Sequence, residues 1–145
     1  MKILLIVLLM VIVQGCSKSE DKAKNYLNSG KTLYQQDKYD KAKIEFKNAI
    51  QLDSKQAEAY YYLARIDEKN ENWQGMFANL TQATRLDPKN NDAFLRLGKL
   101  NLRSGRLDEA LKHIEVALKN APDNPDALAE SRYRVLAIPS DHSDR

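Results

Sequence analysis

The sequence predicts an all-α fold, a solenoid of three helix-turn-helix repeats followed by a partial fourth repeat or capping helix. Three observations carry this. Segments 23–56, 57–90 and 91–124 align without a gap at a period of 34 residues. Inside each, apolar residues recur at helical spacing, break near the fifteenth place at QDK, ENW or SGR, and resume, as two antiparallel amphipathic helices would. Small and large side chains also keep fixed places. One such hairpin cannot bury its apolar stripe alone, so stacked neighbours share a core and about three are needed for stability.

The chain begins before that array. Ile3–Val13 is an apolar run behind a single Lys2. As a helix it reaches roughly 16 Å, about half of a hydrocarbon core, so it is short for a membrane span and right for the apolar region of a secretory signal. Val13-Gln14-Gly15-Cys16 follows, with the only cysteine of the chain. This stretch resembles the lipobox of bacterial lipoproteins, in which the signal is cut before a cysteine that carries lipid. The resemblance implies a signal peptide over 1–15, cleavage between Gly15 and Cys16, lipid on Cys16 and a hydrophilic tether over 16–22. Ser17 after the cysteine, in place of an aspartate, implies the outer membrane and a periplasmic face. An uncleaved membrane anchor with an incidental cysteine is the alternative.

The repeats come next. The fourth place is Tyr26, Tyr60 and Phe94; the seventeenth Tyr39, Trp73 and Leu107; the twenty-fourth Phe46, Leu80 and Ile114. These large residues are expected to fill the core. The eighth place is Gly30, Ala64 and Gly98, and the twenty-seventh Ala49, Ala83 and Ala117, where small residues let backbones approach. Pro88 and Pro122 end the second helices of repeats 2 and 3, since proline cannot continue the helical ladder. After them Asn124-Pro125-Asp126 opens another helix with a cap, a proline at its first position and an acid in its first turn. Ser131 and Arg132 then break the pattern and Pro139 ends it. Residues 125–138 thus read as a capping or incomplete fourth repeat, and 139–145 as a disordered polar tail.

The spacing across 23–124 resembles the tetratricopeptide repeat (TPR) family. Departures are Ser29 for the usual Leu of the first helix, Asp67 and Asn101 where tyrosine is commonest, and Met76 for a small residue, which should loosen repeat 2. The resemblance implies a protein-binding solenoid whose first helices line a groove. By place in the repeat that groove takes Leu27, Lys31, Tyr34 and Gln35, then Tyr61, Arg65, Glu68 and Lys69, then Leu95, Lys99, Leu102 and Arg103. Lys31, Arg65 and Lys99 would form a basic stripe among apolar islands, suited to an acidic or carboxylate-bearing peptide. Lys31 stands where the carboxylate clamp of chaperone-binding relatives has asparagine, so that clamp is not expected.

Nothing in the sequence calls for catalysis or a cofactor. Two histidines, His113 on a helix surface and His142 in the tail, and one cysteine make no metal set. A net charge of +3 without an aromatic-studded basic cluster excludes a nucleic-acid partner. The sequence resembles bacterial envelope TPR lipoproteins. IEFKNAIQLDSKQAEAYYYLARI and NPDALA are most similar to those accompanying exosortase/PEP-CTERM and exopolysaccharide systems. That implies a scaffold, bound to membrane through lipid and to a protein partner. A pilotin-like role in type IV pilus secretin assembly is one alternative, and a truncated start of a longer array is another. Oligomeric state stays open.

Overall fold

The structure, a computed structural model, describes the backbone of residues 2–132 and the side chains of 19–132. Among the described residues all regular structure is helical: α1 Lys2–Gln35, α2 Tyr39–Leu52, α3 Ala57–Lys69, α4 Trp73–Leu86, α5 Asn91–Arg103, α6 Leu107–Asn120 and α7 Pro125–Ser131. α1 is continuous through segment 16–22. The expected tail 139–145 and the end of the capping helix, 133–138, lie outside the described residues. Across residues 19–132 no helix is long and apolar enough to cross a membrane; the run Ile3–Val13 falls outside that range.

The three intra-repeat turns are one structure repeated. In each, the N–H of the sixteenth place donates to the carbonyl of the eleventh: Lys38 to Leu33 at 2.9 Å, Asn72 to Asp67 at 2.8 Å, Arg106 to Asn101 at 2.9 Å. The fifteenth-place N–H donates three residues back, Asp37 to Tyr34, Glu71 to Glu68 and Gly105 to Leu102. This paired bonding closes a helix on a left-handed residue, and Asp37, Glu71 and Gly105 have φ of 57°, 56° and 71°. Only the third turn uses glycine, which takes that conformation without a Cβ clash.

The chain divides into two compact units, Met1–Gln82 and Ala83–Arg145. In the first, fully buried Phe46 lies among Leu27, Ala42, Ala49, Ala59, Leu63 and Ile66 and stacks on Tyr62 with ring centroids 5.1 Å apart. Gly30 makes room for it: a Cβ there would stand 2.6 Å from the Phe46 ring. In the second unit Gly98 does the same for Ile114, where a Cβ would come within 2.8 Å. Leu95, Ala117 and Ala127 are buried beside Phe94 and Leu118, so the cap helix α7 closes this core.

Two expected core aromatics are not buried. Tyr26 is 37% exposed and Trp73 39%. Beside Tyr26 the short Ser29 leaves a groove unfilled. At Trp73 the preceding turn holds a polar cluster. Asp67, only 3% exposed, accepts from Lys43 Nζ at 3.3 Å, Asn72 Nδ2 at 3.1 Å and Asn79 Nδ2 at 2.8 Å. Met76 is buried rather than displaced. Asn101, also buried, plays the part of Asp67 in repeat 3 by accepting from Arg106 Nε at 3.0 Å.

Candidate peptide-binding face

In the first unit α1 and α3 bring Tyr34, Tyr61 and Arg65 together. Tyr34 comes from the last turn of α1, and Tyr61 and Arg65 lie one turn apart on α3, so both point the same way. The Arg65 guanidinium carbon sits 5.4 Å from the Tyr34 ring centroid and 5.8 Å from that of Tyr61, and Nη1 donates to Tyr61 Oη at 3.5 Å. Such cation–π contacts are worth about 1–2 kcal/mol when partly desolvated. Tyr39 and Tyr62 buttress Tyr34 edge-on, at 5.3 and 5.1 Å. The cluster is therefore rigid. Tyr34 Oη and Arg65 Nε are both buried and without a hydrogen-bond partner, although buried polar atoms are nearly always satisfied.

The neighbouring lysines are committed elsewhere. Lys31 donates to Glu58 at 2.6 Å, and that bond holds its ammonium above the usual lysine pKa against the opposing effect of burial. Lys69 lies over the Tyr39 ring at 4.7 Å, and a hydrogen bond to Tyr39 raises its pKa too.

The other expected groove residues separate. Leu27 and Leu95 are 8% and 4% exposed and belong to the cores, because each clusters with buried residues of its hairpin's second helix and of the helix that follows. In the second unit Lys99 Nζ is 3.6 Å from Glu130 of α7, Leu102 is half-buried and Arg103 exposed. The basic stripe is thus partly neutralised: Lys31 and Lys99 each face a carboxylate. Cys16 and Gly15 lie on α1, and their side chains are outside the described residues. His113 is half-buried, 6.1 Å from the Phe94 ring, rather than solvated, and burial lowers its pKa. Among the described residues no group of three or more His, Cys, Asp or Glu could hold a metal.

The aromatic buttress and the Glu58 partner are absent from the sequence reading. A signal for Glu58 existed, since it is the acid in the first turn of α3 and the next helix's first turn abuts the middle of the previous repeat's first helix.

Family models described as tetratricopeptide repeat match residues 23–56 and 78–125. The chain is built of tetratricopeptide repeats. Its fold is similar to solved TPR structures. The first TPR of Spaghetti (RPAP3), bound to an HSP90 peptide, superposes with a TM-score of 0.72 at 23% identity, over 83% of this chain and 96% of that one. The Arabidopsis OM64 TPR domain gives 0.72 at 24% identity, over 83% and 99%. MamA gives 0.70 at 25% identity, over 80% and 68%. Protein CTR9 homolog of Arabidopsis thaliana is 35% identical over 75 residues, covering 48% of this chain and only 7% of that much longer protein.

Proposed function

We propose that this TPR protein is a non-enzymatic scaffold of a bacterial cell envelope, tethered through lipid on Cys16 to the periplasmic side of the outer membrane. There it captures an acidic or carboxylate-bearing peptide segment of a partner in envelope or exopolysaccharide assembly. One observation carries the binding part: Arg65 Nε and Tyr34 Oη are desolvated donors without acceptors, held by a fixed aromatic frame. The Arg65 side chain is half-buried, so the exposed part of its guanidinium could take a carboxylate, and a hydrogen bond to a charged group is worth about 1.5–3 kcal/mol. The peptide class has support from fold neighbours: TPR units of Spaghetti (RPAP3) were solved with the HSP90 peptide SRMEEVD, and the second TPR domain of human RPAP3 with the HSP70 peptide SGPTIEEVD. The tether has its support in the lipobox-like VQGC and the lone cysteine.

Site-specific photo-crosslinking in growing cells tests this. A benzophenone side chain at position 61 should trap a partner, one at exposed Gln51 should not, and Arg65→Gln should lower the trapped yield about tenfold. Equal yields from both positions, or indifference to Arg65→Gln, would remove the site from this face. Cys16→Ser should abolish lipid labelling; persistent labelling would sink the tether.

A further inference from the structure

Arg65 has a second cation beside it, and the distance between the two describes the ligand further. Arg65 and Lys69 lie four residues apart on α3, so both leave the same face and stand about 6 Å apart along the helix. Each rests on a tyrosine. The Arg65 guanidinium carbon is 5.4 Å from the Tyr34 ring centroid, and Lys69 Nζ is 4.7 Å from that of Tyr39. The two rings meet edge-on with centroids 5.3 Å apart, in step with the spacing of the cations above them. Side chains held this way in the free protein have little freedom left to lose when a ligand arrives.

Both charges are unpaired. Among the described residues neither group forms an ion pair with a carboxylate, whereas Lys31 and Lys99, at the same place of their repeats as Arg65, both do. Tyr39 positions Lys69 without neutralising it, since a phenol is uncharged and an ammonium has three donors. The Asp37 carboxylate, which acts on Lys69 through space, is itself taken by the Tyr39 hydroxyl. In the other direction the cationic strip stops at Arg65, because Glu58, seven residues earlier on the same face of α3, already holds Lys31. A matching ligand therefore carries two carboxylates on one side, about one helical turn apart. In an extended chain, residues i and i+2 share a side and are about 6.7 Å apart, while i and i+1 point to opposite sides. A helical ligand would offer acids four residues apart, but a short helix is marginal in water and would have to fold on the site.

We infer that this face recognises two acidic residues separated by one, Asp/Glu-x-Asp/Glu, in an extended segment of the partner. One carboxylate meets the exposed edge of the Arg65 guanidinium and the other meets Lys69. No free C-terminus is required, because both contacts go to side chains. This register belongs to the acidic-peptide site proposed above and stands only if that site does.

Fluorescence polarisation with the full chain in detergent tests the register. The probes are labelled peptides of glycine, serine and alanine, blocked at both ends, that carry two aspartates adjacent or separated by one, two or three residues. A peptide with a single aspartate is the reference. The pair separated by one should bind about fivefold tighter than the other pairs of equal charge, the upper range for an exposed ion pair whose cation is already positioned. Lys69→Gln should bring that peptide down to the reference and change the reference little, and Lys69→Arg should restore the preference. Lys69 is exposed, so its replacement leaves the fold intact. Arg65→Gln should weaken every peptide. Arg65-dependent binding that ignores the spacing, favours aspartates separated by three, or keeps its preference in Lys69→Gln overturns the inference and leaves the acidic-peptide site standing. Binding of none of the peptides overturns both.

Discussion

The hairpin α1–α2 in the first unit and the hairpin α5–α6 in the second are two versions of the same 34-residue plan, and they spend their side chains differently. Both close through the same backbone turn, and both set a glycine under the largest fully buried side chain of the second helix. The first puts a rigid ring, Phe46, over Gly30 and stacks Tyr62 on it. The second puts the flexible Ile114 over Gly98. At the eleventh place the first hairpin has apolar Leu33, packed on the core. The second has buried Asn101, bonded to Arg106. The twenty-fourth place thus stores packing and the eleventh sets how the turn is held. The aromatic choices of the first unit also create the frame around Arg65, which has no counterpart described in the second. Architecture follows from the repeat; recognition follows from its departures.

Truncating the twenty-fourth place is the sharpest way to break this comparison. Phe46→Ala should cost about 3–5 kcal/mol, by lost transfer energy and the cavity left beneath Tyr62, and Ile114→Ala about 2–4. Urea denaturation followed by circular dichroism measures both. A smaller loss at Phe46 than at Ile114 would mean that the first core collapses to fill its cavity, and the frame at Arg65 would then not be rigid. The eleventh place comes next. Asp67→Leu strips an acceptor from Lys43, Asn72 and Asn79 and should cost about 2–3 kcal/mol. Asn101→Leu leaves only the Arg106 guanidinium and the turn amide network to readjust, and should cost about 1–2. Equal losses would show that Lys43, a third exposed, adds nothing to the Asp67 cluster.

The fold was legible because its period repeats. Alignment alone places the six helices and three intra-repeat turns of 23–124, and the Asn124-Pro125 cap marks α7, where Asn124 Oδ1 does accept from Asp126 and Ala127 N–H. The site was legible only in part. Place in the repeat found Tyr34, Tyr61 and Arg65, but assigned Leu27 and Leu95 to an open face that both cores claim. It also treated Lys31 and Lys99 as free cations, when Glu58 and Glu130 stand opposite them. Periodicity says which way a side chain leaves its helix. It does not say which residue of another helix, tens of positions away in the sequence, meets it there.

The smallest effect probes the one rule that the repeats break openly. The fifteenth place needs a left-handed residue, and only Gly105 suits it by having no Cβ. A non-glycine residue there carries a steric penalty of roughly 1 kcal/mol, less for aspartate, which tolerates this region better than glutamate. Glu71→Gly should therefore stabilise the first unit by up to about 1 kcal/mol, offset in part by the entropy that glycine adds to the unfolded chain, and Asp37→Gly by less, because Asp37 also accepts a hydrogen bond from the Tyr39 hydroxyl. Gly105→Ala should destabilise the second unit by about 1 kcal/mol. Nothing lies within 4 Å of a Cβ at position 105, so any loss there measures backbone conformation alone, free of packing. If Gly105→Ala proves neutral while Glu71→Gly stabilises, the gain at position 71 must come from removing the glutamate side chain rather than from the left-handed backbone, and the three turns would be alike in bonding but not in strain.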